Sequence, residues 1–269
     1  MKKNKMMRLA SAMMVLTLMS TSVISGTFAK YVTSDSATDT ARVAKWGVTV
    51  TQTGDKEVFS TVYDDNSNPT VASTVDKLVA PGTKNDTGLT FTINGTPEVK
   101  CRIEVELAGV GDDNKFDATK EPVDVKLPQG DTSVYTDDPT TGVENDAFTV
   151  DEDYYPVLYK LTGNGLKNAE NVTVTEITGN LEDIETALEK LTQDVAPNTD
   201  LSTTFGTYTL TWEWPYEANS TDEAVIAERD RKDTMLGKIA KDIAEGTATV
   251  TGASTDIKFG VKISVTQID

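Results

Sequence analysis

Side chains suited to covalent or acid–base catalysis are few in this chain of 269 residues. It contains no histidine and a single cysteine, Cys101. Without histidine, Ser-His-Asp catalysis, Cys-His catalysis and histidine-based zinc sites are all excluded. Cys101 lies on the apolar side of an alternating segment, so we interpret it as a buried hydrophobic residue rather than as a reactive thiol. With one cysteine no internal disulfide can form. We therefore expect a protein that is not an enzyme.

Carboxylates are the remaining candidates for chemistry. Runs such as Asp151-Glu152-Asp153 are common in a chain with 43 acidic residues. A glycosidase needs two carboxyl groups at a defined separation, and the sequence alone cannot select such a pair. We therefore rank a carbohydrate-hydrolysing role well below a non-catalytic one.

Acidic turns also offer oxygen ligands for calcium. The best group is Asp112, Asp113, Asn114 and Asp117, and a second one is 64–66. Neither has the spacing of the twelve-residue EF-hand loop, so solvated turns are the favoured interpretation. No other cofactor is expected.

Three aromatic residues near position 214 allow two interpretations. Trp212, Trp214 and Tyr216 could form a platform on which sugars stack. In an alternating strand, however, both tryptophans share a face with Tyr208 and Leu210. We therefore favour a place in the core for the two tryptophans.

The N-terminus has the pattern of a secretion signal. Four basic residues within the first eight precede an uncharged segment, 9–28, that is rich in apolar and small residues. Thr27-Phe28-Ala29 suits a signal peptidase, which predicts cleavage between Ala29 and Lys30. The alternative is an uncleaved membrane anchor, because about 20 residues can span a bilayer.

The charge balance limits the choice of partners. The whole chain has a formal net charge of −18, with 25 basic and 43 acidic side chains. Four basic residues lie in the leader, so the exported chain would carry 21 basic residues and a net charge of −22. Such a chain lacks the basic surface needed for nucleic acid or for anionic lipid. We expect no nucleic-acid partner, and no membrane contact after cleavage.

The remaining sequence alternates in a way that predicts β-strands. The clearest segments are 44–53, 97–108, 206–214 and 257–266, where apolar and polar residues alternate with a period of two. Such strands predict an all-β fold, an antiparallel β-sandwich. The segment 30–43 is polar and reads as a flexible arm, while 44–269 is predicted to be one domain.

Three segments interrupt the strand pattern. Residues 109–153 are rich in Asp, Thr, Gly and Pro, which predicts long acidic loops. Residues 180–192 and 220–245 have helical spacing, with Asn180 as the expected N-cap of the first and Ser220 or Thr221 of the second. We interpret both helices as insertions in the β-fold.

The boundary Gly26-Thr27-Phe28-Ala29, followed by Lys30-Tyr31-Val32, resembles that of the TasA and camelysin group of exported proteins. In this group the SipW type of signal peptidase removes the leader. A second similarity is Ala80-Pro81-Gly82-Thr83 ahead of a strand at 89–93. The resemblance covers roughly residues 20 to 110.

This resemblance implies a jelly-roll sandwich at the surface of a Gram-positive-type bacterium, where relatives build biofilm matrix fibres. In such fibres the N-terminal arm of one subunit adds a strand to the next, so the expected partner is a second copy, with other matrix or cell-wall components beside it. The residues of the arm that would supply apolar side chains are Tyr31, Val32, Ala37, Ala41 and Val43. A metallopeptidase activity, attributed to some relatives, does not fit a chain without histidine. The alternative function is a monomeric surface module that binds a glycan, a cell-wall component or a host ligand.

Overall fold

A computed structural model describes residues 46–54, 58–59, 62–65, 68–72, 77–113, 115–131, 149–216, 220–246 and 252–268. The strands in these residues are β1 (Val48–Gly54), β2 (Val62–Asp65), β3 (Asn68–Ala72), β4 (Lys84–Gly95), β5 (Cys101–Ala108), β6 (Gly130–Asp131), β7 (Thr149–Val150), β8 (Leu158–Lys167), β9 (Thr173–Gly179), β10 (Gln193–Val195), β11 (Gly206–Glu213) and β12 (Gly260–Gln267). The helices are α1 (Leu181–Glu189), α2 (Leu201–Thr204) and α3 (Glu223–Ala244). The predicted signal peptide and arm lie outside the described residues.

Two antiparallel sheets contain most of the strand residues in the described chain. One has five strands in the order β1-β4-β11-β8-β9, and the other has three in the order β10-β5-β12. Two small hairpins, β2-β3 and β6-β7, complete the pairing. The predicted mostly-β, antiparallel character is therefore confirmed.

Strand β5 shows the alternation that the sequence predicts. Cys101, Ile103, Val105 and Leu107 are buried. The strand starts at Cys101 rather than at Pro97, because residues 98 and 99 form a bend. Buried residues of both sheets belong to one hydrophobic cluster. The thiol of Cys101 is part of this core, and burial raises its pKa.

Strand β11 lies at the centre of the five-stranded sheet. Its inward residues, Tyr208, Leu210 and Trp212, are buried, as is Trp214 just beyond its end. The ring of Tyr208 stacks on Phe91 of β4 with centroids 5.1 Å apart. The predicted core position of both tryptophans is confirmed, and a sugar platform is excluded for them. Tyr216 is 70% exposed.

The sequence also predicts a strand at 56–63, and of the described residues in this segment only 62 and 63 form one. Val58 and Phe59 lie in a bend, and β2 begins only at Val62. The carbonyl of Val58 accepts hydrogen bonds from Asn85 Nδ2 and Trp212 Nε1, both at 2.8 Å. The two bonds connect Val58 to side chains of β4 and β11. They take the place of the backbone bonds that a strand would make.

The two longer helices form where the sequence places them. Asn180 caps α1 with a capping box that includes Asp183, and Leu181, Ile184 and Leu188 are buried. Helix α3 is capped by Asp222 rather than by Ser220 or Thr221. The Asp222 carboxylate accepts a hydrogen bond from Ala224 N at 2.9 Å, which satisfies one of the free N–H groups of the first turn.

Candidate functional site

The residues expected to mediate assembly are divided between two regions. Ala29 and Lys30 at the cleavage site, and all of the arm residues Tyr31, Val32, Ala37, Ala41 and Val43, lie outside the described residues. The structure does describe the sheet margins that an arm of this kind needs as an acceptor. An acceptor is a strand whose outer backbone groups have no partner in the same sheet.

Strand β12 is the best acceptor among the described strands. All eight of its residues pair with β5, from Gly260 opposite Ala108 to Gln267 opposite Cys101. No described strand pairs with its other side. Its inward residues Val261 and Ile263 are only half-buried, whereas the inward residues of β5 are at most 4% exposed. The edge therefore offers both a backbone template and apolar contact area.

The other margins of the two sheets fit an apolar arm less well. Strand β9 is mostly exposed and carries Glu176, and Thr49 and Thr51 of β1 are exposed as well. Strand β10 has only three residues. Shortness disfavours β10 and exposure disfavours β9. Strand β1 has seven residues against eight in β12 and exposes the apolar Val50, so it is the second-ranked acceptor.

The start of the described chain lies near one end of β12. The carbonyl of Gly47 accepts a hydrogen bond from Thr96 N at 3.0 Å, and the carbonyl of Lys100 accepts one from Ile268 N at 3.1 Å. Four residues connect Thr96 to Lys100, a reach of at most about 14 Å. The described chain thus begins close to the C-terminal end of β12.

The candidate calcium loop uses its carboxylates within the loop. Asp113 accepts hydrogen bonds from the ammonium group and from the backbone N–H of Lys115, which lowers its pKa. Asp117 accepts bonds from the hydroxyl and backbone N–H of Thr119, which lowers its pKa. Asp112 is exposed, and Asn114 lies outside the described residues. In the described part of the chain, no three His, Cys, Asp or Glu side chains form a group that could hold a metal ion. The sequence favours solvated turns here over calcium binding.

A cleft of about 370 Å³ lies beside the N-terminus of α1. Its wall combines four carboxylates with one ammonium group and one phenol ring. The lining includes Glu121, Asp124, Lys126, Tyr155, Glu182 and Glu185. The cleft is negative overall.

Asp124 ties three elements together at the base of this cleft. Its Oδ1 accepts hydrogen bonds from the Tyr159 hydroxyl of β8 at 3.0 Å and from Val125 N at 2.8 Å. Its Oδ2 accepts a longer one, 3.3 Å, from Leu181 N at the start of α1. Burial raises the pKa of the Asp124 carboxyl from 3.8 to about 6, although each of these three bonds acts to lower it.

Two further carboxyl groups, those of Glu185 and Asp233, have raised pKa values. Burial raises the pKa of Glu185 in the same cleft, and the carboxylates of Glu189, Glu121 and Glu182 raise it further. Away from the cleft, the Tyr154 hydroxyl donates to Asp233 Oδ1 at 2.7 Å and fixes α3 to the segment before β8. Burial raises the pKa of Asp233.

Sequence patterns alone did not single out Asp124. Alternation in Val123-Asp124-Val125-Lys126-Leu127 predicts that Val125 and Leu127 are inward, and both are buried. The same pattern sends Asp124 outward to water. The residue is covered because α1 packs over this side, which is a tertiary event that the local sequence does not encode.

No helix in the described residues has the length and apolar content needed to cross a membrane.

Comparison with known proteins identifies no family or relative for this chain. No family model, no curated protein and no solved structure matches the chain. The function must therefore be argued from the residues and their geometry.

Proposed function

We propose that this protein is a secreted structural component of a cell surface or extracellular matrix, built as a jelly-roll-like β-sandwich. Its copies join when residues 30–43 of one add a strand to the next. The observation that carries the proposal is the outer edge of β12, which has eight residues, half-buried apolar side chains and no strand partner among the described residues.

Strand addition supplies main-chain hydrogen bonds, and side-chain contacts set the register. The point at which the described chain begins favours addition between copies. An arm that ends near the C-terminal end of its own β12 would run parallel to that strand, whereas the arm of a second copy is free to pair antiparallel, the slightly more stable arrangement. Other matrix or cell-wall components remain expected partners of the assembled fibre.

Deletion of residues 30–41 is expected to abolish fibres and leave a folded monomer. Electron microscopy and size-exclusion chromatography of the exported chain and of the deletion variant provide the measurement. A synthetic peptide of residues 30–43 should bind the deletion variant and should block polymerisation of the intact chain. Fibres that form normally without these residues would contradict the mechanism.

A matched peptide separates sequence-specific pairing from general stickiness. The peptide with Tyr31→Asp and Val32→Asp has the same length but lacks the strongest apolar contacts, so it should bind at least tenfold more weakly, because two buried apolar side chains contribute roughly 3 kcal/mol. Equal binding of both peptides would show that these two side chains do not occupy a groove.

The second candidate function is a monomeric binding module, and the acidic cleft beside α1 favours it. A cleft of about 370 Å³ is large enough to take part of a small polar ligand. A glycan array with and without calcium separates the two functions. Specific binding by a protein that stays monomeric, together with loss of that binding in Glu185→Gln, would favour the module over the fibre subunit.

A further inference from the structure

The outer face of the five-stranded sheet is an array of threonines. The cross-strand pairs Thr51–Thr92, Thr92–Thr207 and Thr90–Thr209 bring their side chains to one side of the sheet. The side chains lie in rows across the strands, and the face comprises Thr49, Thr51, Thr90, Thr92, Thr162, Thr178, Thr207, Thr209 and Thr211. We refer to these nine residues as the threonine face.

The hydroxyl groups of the threonine face are largely bonded within the sheet. The Oγ atoms of Thr92 and Thr207 are 2.9 Å apart, and those of Thr90 and Thr209 are 3.2 Å apart. The hydroxyl of Thr162 donates to the carbonyl of Thr209 at 3.4 Å. Hydroxyl groups that bond each other are less available to solvent or ligand, so the γ-methyl groups give much of this surface its character.

The threonine face is uncharged at its centre, in a chain whose net charge is −18. The outward positions of β11 from 207 to 211 are all threonine, and those of β4 from 90 to 94 are Thr or Asn. Ionic side chains start at the margin formed by β8 and β9, where Lys160 lies between Thr211 and Thr178 and forms an ion pair of 2.7 Å with Glu176. Both signs are present there, so the margin adds no net charge from this pair.

The other sheet provides a contrast within the same molecule. The outer face of β5 and β12 carries Arg102, Glu104, Glu106 and Lys262, with ion pairs Arg102–Glu104 at 3.2 Å and Lys262–Glu106 at 3.5 Å. A polar strand face of the ordinary charged kind is therefore built by this chain on one sheet. On the other sheet charge is replaced by threonine.

We propose that the threonine face is a docking surface for a second copy of this chain, packed sheet against sheet. Two copies of a strongly negative protein repel each other over most of their surfaces, and repulsion is least where both are neutral. Opposed methyl groups gain contact, and the margin carries one charge of each sign, on Lys160 and Glu176. A two-fold axis makes such an interface self-complementary.

The size of the whole outward face of the five-stranded sheet, the threonine face together with the margin around Lys160 and Glu176, sets the expected strength. Five strands about 4.8 Å apart and three outward residues along each give roughly 500 Å² on each copy. The total of about 1,000 Å² is at the low end for a specific interface. We therefore expect a dissociation constant between about 10 µM and 1 mM for an isolated pair. Many such contacts along a fibre would add through multivalency.

The test is sedimentation velocity of the purified exported chain over a concentration range that reaches about 1 mM, the weak limit expected above. The wild type should dimerise. Thr51→Glu with Thr207→Glu, both at exposed positions, opposes like charges across the interface and should weaken association at least about tenfold. Thr221→Glu with Thr234→Glu adds the same charge at exposed positions just before α3 and on it, and should leave association unchanged.

A conservative pair of variants identifies the chemistry of the contact. Thr51→Val with Thr207→Val keeps the methyl groups and the strand propensity, so dimerisation should persist or strengthen. Circular dichroism and urea unfolding check that each variant is folded. The proposal would be overturned if the wild type is monomeric at every concentration. It would also be overturned if the two double-Glu variants associate equally strongly. So would loss of association in the Val pair accompanied by binding of a neutral polysaccharide to the wild type, which would make the face a glycan surface.

This inference goes beyond the strand-addition mechanism and can fail separately from it. In the variant that lacks residues 30–41, dimerisation through the threonine face should remain. If deletion of the arm removes all association while the Glu pair on the face has no effect, the arm accounts for self-assembly and the face does not. If the arm deletion keeps the dimer but loses fibres, both proposals stand.

Discussion

Replacing Trp212 with alanine is expected to lower the free energy of unfolding by about 3–5 kcal/mol, the usual cost of removing a large buried aromatic side chain. Trp212 is 2% exposed and lies on the central strand of the larger sheet. Its ring lies 5.1 Å from that of Phe59, and its Nε1 donates to the Val58 carbonyl at 2.8 Å. The substitution creates a cavity and also leaves that carbonyl without one of its donors.

Two further variants separate these contributions. Trp212→Phe keeps an aromatic ring in the core but removes the donor, so the loss should be smaller, about 1–3 kcal/mol. Tyr216→Ala, at a side chain that is 70% exposed, should change stability by less than about 0.5 kcal/mol. Urea unfolding followed by circular dichroism gives all three values. A loss below about 1 kcal/mol for Trp212→Ala would show that this ring does not support the packing between the sheet and the 58–59 bend.

The sequence predicts the central strands well because their two faces differ in environment. In β5 and β11 each inward side chain is buried and each outward one reaches solvent, and the period of two follows directly. The prediction is weaker at a sheet edge. Val50 of β1 alternates with threonine like a core residue, yet it is 41% exposed. The reason is that β1 is an edge strand, and no other described strand covers its margin.

Pairing between distant segments cannot be predicted from local patterns. β12 lies beside β5, although more than 150 residues separate Val105 from its partner Ile263. The helix cap at Asp222 was missed for a different reason: Ser220, Thr221 and Asp222 are all good N-caps, and the local sequence does not rank them. Burial of Asp124 depends on the docking of α1, so no window of sequence around residue 124 contains the signal.

Replacing Asp124 with asparagine is expected to remove a pH dependence of stability worth about 3 kcal/mol. The folded state holds the pKa of this carboxyl at about 6, and its ordinary value is 3.8. One pKa unit corresponds to about 1.4 kcal/mol, so a rise of roughly two units gives this magnitude. Between these two pH values the folded state binds a proton that the unfolded state has released. Stability therefore falls as pH rises from about 4 to 6, and the full cost is present at pH 7.

The quantity to measure is the difference in unfolding free energy between Asp124→Asn and the wild type, by urea titration from about pH 3.5 to pH 7.5. Taking the difference cancels the other acidic groups. Asparagine presents an amide in place of one oxygen, and if that amide faces Leu181 N the variant loses about 1–3 kcal/mol at every pH. This loss does not depend on pH. In addition, the unfolding free energy of the variant relative to the wild type should rise by about 3 kcal/mol as the wild-type carboxyl ionises.

Tyr159→Phe provides the matched control for this titration. The Tyr159 hydroxyl donates to Asp124 at 3.0 Å and holds the pKa of the carboxyl below the value that burial alone would give. Removing the hydroxyl keeps the ring in the core and should move the fall in stability to higher pH. Asp124→Asn should instead remove the fall in stability altogether. A difference curve that is flat from about pH 3.5 to 7.5 would mean that water reaches Asp124 freely. In that case α1 does not seal the base of the cleft, and the carboxylates that line it behave as a solvated surface.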